Sequence, residues 1–194
     1  MRLSHWILSG ALAAFTSACT LISPYDQVID MGVVDVSGQL NAFVKDMAEA
    51  AGTPQGTYDA NTKTYNAIDS KLDILIARAD TASEGQGCKI EKKFYDKISK
   101  IMADQMPAEL KGAPETASGS ADACSSRLLR MVKDQVGDIR KIHSTTDKCR
   151  DRSRTDNSQI SCLRPATAGT ALKIAGQSIN AVSVVEAAKR KLQE

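Results

Sequence analysis

Apolar residues recur every three or four positions along four long stretches of this chain, and this spacing limits the fold more than any other feature. The clearest stretch carries Ile29, Val33, Val36, Leu40, Phe43, Met47 and Ala51. Such spacing places all the apolar side chains on one face of an α-helix. Aromatic residues make up only 4% of the chain, which favours helices over sheets. We therefore predict an all-α fold, an up-and-down bundle of four long helices with a shorter helical excursion at 88–124.

Capping residues set the bounds predicted for the first helix. Ser23-Pro24 is typical of a helix start, and Asp26 three residues after Ser23 comes close to a capping box. Gly52-Thr53-Pro54 predicts the end, since glycine commonly follows a helix and proline cannot continue it. The short link to the next stretch predicts antiparallel neighbours.

The other elements follow from the same reasoning. The apolar residues of the last helix cover so much of its girth that we expect it in the middle of the bundle. The predicted helices are 59–81, 89–106, 121–148 and one from Pro165 to about 192, with a polar surface loop at 150–161.

The N-terminus reads as an export signal. Arg2 is a short basic start, 6–15 is an apolar stretch too short to span a bilayer, and Thr16-Ser17-Ala18 are small residues before Cys19. Two interpretations are open. Ser17-Ala18-Cys19 fits the end of a lipobox, which makes Cys19 a lipidated first residue, although Thr16 stands where leucine is usual. Thr16-x-Ala18 also suits an ordinary signal peptidase.

The number of cysteines favours lipidation of Cys19, because the four that remain can pair in an oxidising compartment. We predict residues 1–18 as a signal peptide, 19–23 as a lipid-anchored tether and 24–194 as a single domain. Thr20 after the anchor predicts sorting to the outer membrane, by analogy with enteric bacteria. The protein would then face the periplasm or the cell surface.

Two disulfides are expected, Cys149–Cys162 between the ends of two successive helices and Cys88–Cys124 at the base of the excursion. Each would contribute about 3 to 4 kcal/mol by chain entropy. The competing arrangement packs 89–106 along 121–148, which brings Cys88 towards Cys149 and leaves Cys124 about 30 Å away at 1.5 Å per residue. No C-x-x-C occurs, and the cysteine spacing is too wide for structural zinc.

No catalytic signature is present, and we predict a protein that is not an enzyme and binds no metal or cofactor. His143, the single histidine after the signal, could act as a general base with Asp147 one turn onward. Alternatively, it continues the apolar face of its helix or caps the helix end. Asp69, Asp73 and Asp80 resemble half of a carboxylate metal site but have no Glu-x-x-His partner, so we interpret them as an exposed face.

A basic cluster surrounds the junction between the last two long helices, with nearby aspartates that partly neutralise it. It could contact lipid phosphate or an acidic envelope polymer, or it could be a solvated loop. The even overall balance, a formal charge of +2 for the whole chain, argues against nucleic acid as a partner. The candidate contact residues are Arg140, Lys141, Lys148, Arg150, Arg152 and Arg154.

Two segments of the chain, 43–79 (FVKDMAEAAGTPQGTYDANTKTYNAIDSKLDILIARA) and 161–191 (SCLRPATAGTALKIAGQSINAVSVVEAAKRK), carry a resemblance that extends to IHSTTDKC at 142–149. The chain resembles small, uncharacterised helical envelope lipoproteins of Gram-negative bacteria. The resemblance implies a helical envelope protein and transfers no catalytic residue.

These features together predict a membrane-anchored envelope lipoprotein that acts as a non-enzymatic scaffold or interaction module for another envelope protein. The first alternative is a bundle that binds a small molecule or lipid between its helices. The second is a hydrolase using His143.

Overall fold

A computed structural model describes residues 23–83, 124–191 and 193 of the 194 in the chain. Within these ranges the protein is mostly helical and forms a helical bundle with one small sheet. The predicted excursion at 88–124, with its helix 89–106, lies outside the described residues except for the backbone of Cys124. The four α-helices are α1 (Gln27–Glu49), α2 (Tyr58–Ser83), α3 (Cys124–Lys141) and α4 (Pro165–Lys191).

Helix α1 begins three residues later than the Ser23-Pro24 pattern predicts, since its first residue is Gln27 and not Pro24. Asp26 is the N-cap, because its carboxylate accepts the backbone N–H groups of Val28 and Ile29 at 2.8 and 3.4 Å. The aspartate interpreted as part of a capping box is therefore the cap itself, as Asp commonly is. At the other end the prediction is confirmed, since Gly52 follows the helix with φ +81°, a conformation that suits glycine.

The four helices contact one another in the order α1, α2, α3, α4 and back to α1. Cross-helix pairs give their directions. Asp26 at the start of α1 pairs with Arg78 near the end of α2, and Asp80 near that end pairs with Arg130 early in α3. Helices α1 and α2 therefore run antiparallel, as do α2 and α3. We call the end that carries Ser23, Ser83 and the start of α3 the Ser23 end.

The predicted apolar faces of the first three long helices are confirmed as the core. Their side chains are buried, including Leu40 on α1, Leu72 on α2 and Val136 on α3. The expectation for α4 is wrong, because it packs against α1 and α3 and leaves an outer face in solvent. Val184 and Ala188 are apolar residues of α4, yet both are exposed. The alanines and valines of α4 widen its apolar surface without enclosing it on every side.

The chain between α3 and α4 differs from the predicted long helix and surface loop. Helix α3 ends at Lys141 and continues as one π-helical turn, Ile142–Thr146. Two short strands follow, β1 (Lys148–Arg150) and β2 (Gln159–Ser161). They pair antiparallel, with Cys149 opposite Ile160. We call the segment 147–164 the hairpin, and the end of the bundle that carries it the hairpin end.

Candidate functional site

The hairpin is the largest departure from helical structure in the described chain, and a disulfide closes it. Cys149 and Cys162 are bonded with their Cα atoms 5.8 Å apart, which confirms this predicted pairing. At its base Asp147 is nearly buried and accepts the backbone N–H of Arg164 at 2.9 Å. Asp147 therefore holds the two ends of the hairpin together and does not orient His143 through a hydrogen bond.

Two further contacts fix the hairpin to the bundle. The N–H of Arg152 donates to the carbonyl of Gly52 at 2.8 Å, and the N–H of Tyr58 donates to Ser161 Oγ at 3.0 Å. A Cβ added at Gly52 would lie 2.8 Å from the carbonyl oxygen of Arg150. Only glycine permits this approach, so the α1–α2 link and the hairpin form one joined surface.

The predicted basic cluster is divided by the structure into paired and unpaired cations. Arg154 pairs with Asp156 at 2.8 Å, and this guanidinium holds the pKa of Asp156 at about 2. Lys148, Arg150 and Arg152 are exposed, as is Lys141 at the end of α3. Within the described ranges these four cations have no carboxylate within ion-pair distance. We call Lys148, Arg150 and Arg152 the hairpin cations.

Arg140, the remaining predicted contact residue, lies among side chains of α2 and not with the exposed cations. Its Nε donates to the Tyr58 hydroxyl at 2.9 Å, and its Nη1 lies 3.3 Å from Asp69 Oδ2. The guanidinium also stands 5.7 Å from the centre of the Tyr58 ring, within range of a cation–π contact. Arg140 therefore covers the interior beside α2 and is not part of the exposed cationic surface.

Beneath Arg140 lies a fully buried pair, Tyr65 and His143. The carbonyl of Gly56 can only accept, so His143 Nε2 carries the proton and donates to it at 2.9 Å. Nδ1 then accepts from the Tyr65 hydroxyl at 3.0 Å. Burial lowers the pKa of His143 and raises the pKa of Tyr65, so both side chains are neutral near pH 7.

This arrangement confirms that His143 continues the apolar face of α3. Its two ring nitrogens are both engaged and the ring is closed off from solvent. The carbonyl of Gly56 belongs to the short 3₁₀ turn Pro54–Gly56. A Cβ added at Gly56 would lie 2.2 Å from the Ala50 carbonyl oxygen, so a larger residue would clash there. The sequence offered no local signal for this contact, because Gly56 and Tyr65 are 87 and 78 positions away from His143.

The Ser23 end contains a second buried polar group that the sequence reading missed. Lys189 Nζ donates to Glu186 Oε1 at 2.7 Å and to Ser125 Oγ at 2.8 Å, and Ser125 donates to the same carboxylate. Glu186 Oε2 accepts the N–H of Asp26 at 3.3 Å. Helical spacing in the sequence could have identified this group, because Glu186 and Lys189 continue the three- and four-residue spacing of the apolar residues before them. The buried face consists of Ala175, Ile179, Val182, Glu186 and Lys189.

The three aspartates of α2 that resembled half of a metal site form ion pairs with the neighbouring helix. Asp69 pairs with Arg140, Asp73 with Lys133 and Asp80 with Arg130, all on α3. No group of three potential metal ligands occurs among the residues described by the structure. No described helix is both long enough and apolar enough to cross a membrane.

Three predicted site residues cannot be placed. Cys19 and Cys88 lie outside the described residues, as does the side chain of Cys124, so lipidation and the second disulfide remain predictions.

Comparisons of the chain with protein-family models, curated proteins and solved structures give no match.

Proposed function

We propose that this chain is an exported lipoprotein, anchored through Cys19, whose helical bundle is a non-enzymatic module that binds another envelope protein. The contact surface is the hairpin, and the partner presents an acidic surface to it. The exposed, unpaired hairpin cations are the observation on which the proposal rests.

Two features of the hairpin favour recognition over a merely solvated loop. The disulfide and the contacts to Gly52 and Tyr58 hold the backbone before a partner arrives, which reduces the ordering cost of binding. Lys148 and Arg150 are two positions apart on β1, so their side chains project to the same side of the small sheet. Complementary charge would set partner choice and speed association more than it would raise affinity.

The position of the hairpin fits a tethered molecule. We infer the finer architecture of an up-and-down four-helix bundle, supported by the cyclic packing order and the antiparallel pairs. Helix α1 has 23 residues, so the hairpin end lies about 35 Å from the Ser23 end at 1.5 Å per residue. An anchor four residues before Ser23 would hold one end at the membrane and leave the hairpin free to meet a partner.

The environment of His143 supports a role without catalysis. A general base needs an accessible nitrogen within reach of its substrate. Both nitrogens of His143 are occupied by Tyr65 and Gly56, and the side chain is fully buried. The geometry therefore favours a structural histidine that locks α3 to α2 and to the α1–α2 link.

The test compares two triple charge reversals in the full chain, expressed in a bacterial envelope with an affinity tag. The hairpin variant is Lys148→Glu, Arg150→Glu and Arg152→Glu. The matched control changes the net charge equally at exposed lysines outside the hairpin and is Lys45→Glu, Lys63→Glu and Lys173→Glu.

Proteins cross-linked in intact cells and then purified are identified by mass spectrometry. We expect an acidic envelope protein with the wild type and the control, lost with the hairpin variant and weakened by high salt. An identical set from all three forms would refute the hairpin as the contact surface. The intact mass of chain extracted from membranes tests the anchor separately, since a lipid-free N-terminus would refute lipidation.

A further inference from the structure

The exposed large apolar side chains of the described chain are concentrated on one surface. Five such side chains occur in the described ranges, and four lie on the neighbouring helices α1 and α2. These are Val28, Met31, Val34 and Ile74, exposed by 49%, 64%, 63% and 66%. We call them the α1 face. The fifth, Val184, stands alone on the outer side of α4.

Beyond Val34, small side chains continue the same row along the outer side of α1. Gly38 and Ala42 follow at four-residue intervals, so they extend the same row along the helix, and both are exposed. Glycine inside a helix lowers its stability relative to alanine, so its presence calls for a reason. At Gly32 the reason lies within the chain, because a Cβ there would approach Leu75 Cδ2 to 2.5 Å. At Gly38 an added Cβ would meet no atom within 4 Å.

Two of the three aspartates beside the α1 face are neutralised by ion pairs, and the third, Asp30, accepts the Tyr25 hydroxyl at 3.1 Å. Asp35 pairs with Lys71 at 2.7 Å on one side of Met31, and Asp26 pairs with Arg78 at 2.6 Å on the other. A strongly charged partner would therefore gain little from electrostatic attraction here. The face also carries no exposed aromatic ring, and aromatic side chains are the usual anchors of a protein surface at a lipid interface.

From these observations we propose that the α1 face binds a second copy of this chain, with the two α1 helices packed side by side. A neutral apolar row is complementary to itself, which is the requirement for a contact about a two-fold axis. Gly38 and Ala42 would let the two helix backbones approach closely, as small residues do where helices pack tightly. The proposal does not depend on the hairpin or on its partner.

The size of the face predicts a weak association. From Val28 to Ala42 the row is about 21 Å long and about 10 Å wide, from helix geometry. It offers a few hundred Å² per copy, whereas stable complexes bury about 800 Å² per partner. We therefore expect an equilibrium between monomer and dimer that depends on concentration, and that confinement to a membrane would favour the dimer.

A photo-cross-linking residue placed at Met31 of the full chain, expressed in bacterial cells, tests the proposal. The expected product on irradiation has twice the mass of the chain, and peptide mapping finds only this sequence in it. The matched control carries the cross-linker at Val184, which is similarly exposed on a helix, and should yield monomer. Addition to lipid, to a different protein alone, or equal self-product from both positions would overturn the proposal.

Two further variants separate association from folding. Val34→Asp should lower the self-product from Met31 by about tenfold, which corresponds to about 1.4 kcal/mol. Ile74→Asp should also lower it, and Val184→Asp should leave it unchanged. Circular dichroism checks that each variant is folded, and the Ile74 variant keeps the test decisive if the Val34 variant fails to fold. Undiminished self-product in both folded variants would refute the α1 face as the interface.

Discussion

The buried Glu186–Lys189 pair provides the sharpest prediction of stability. The two side chains are 0% and 4% exposed, and Lys189 is the cation that balances the Glu186 carboxylate. Replacing Lys189 with Met keeps most of the side-chain volume but leaves a negative charge inside the bundle. Removing one partner of a buried pair costs about 3 to 5 kcal/mol. Since a domain is stable by about 5 to 15 kcal/mol, this loss would be easily measured.

The companion variant isolates the uncompensated charge from the change in shape. Glu186→Gln combined with Lys189→Met removes both charges and retains an amide that can meet Ser125 and the Asp26 N–H. We expect the double variant to lose less stability than Lys189→Met alone, because it leaves no uncompensated charge inside the bundle.

Urea unfolding of the full chain, followed by circular dichroism, measures each free energy of unfolding. Lys173→Met on the exposed face of α4 is the control and should change it by less than about 0.5 kcal/mol. A loss below about 1 kcal/mol for Lys189→Met would refute the reasoning. A double variant that loses as much as the single one would refute it equally.

Three other changes test the hairpin end. Tyr65→Phe leaves His143 Nδ1 buried without its donor and should lower the free energy of unfolding by about 1 to 3 kcal/mol, measured in urea. Because burial lowers the folded-state pKa of His143, its contribution to stability is full above about pH 6.5. That contribution should decline as the pH falls below this value towards the folded-state pKa, and a His143→Gln variant should show a flatter profile between pH 7.5 and 5. Replacing both Cys149 and Cys162 with Ser opens a loop of sequence separation 13 and should cost about 3 kcal/mol, seen as a lower melting temperature; an unchanged melting temperature would contradict this.

The parts of the fold that depend on local spacing could be predicted from the sequence. The buried faces of α1, α2 and α3 follow directly from three- and four-residue periodicity, and Gly52 ended α1 as expected. The start of α1 was misplaced because Ser23 and Asp26 are both good caps, and only the bonds to Val28 and Ile29 distinguish them.

The remaining features depend on contacts between distant residues. Strands of three residues are too short to show alternation, so β1 and β2 gave no signal in a polar stretch. The hydrogen bonds of His143 arise only when α2 and the 3₁₀ turn close over it. Arg140 looked like its basic neighbours, yet Tyr58 and Asp69 draw it away from the hairpin cations.

The ion pairs between α2 and α3 favour the packing of these two helices side by side. They do not fix the position of one helix relative to the other along the helix axis. Every acid of this row is on α2 and every base on α3, as in Asp80–Arg130 and Asp73–Lys133. A slip of one turn would bring Asp80 level with Lys133 and still join opposite charges. The same slip, about 5.4 Å, would part Tyr65 from His143 and leave both buried without partners. The relative position of α2 and α3 along their axes is thus specified by the uncharged Tyr65–His143 pair in the interior. The ion pairs at the surface specify only that the two helices are neighbours.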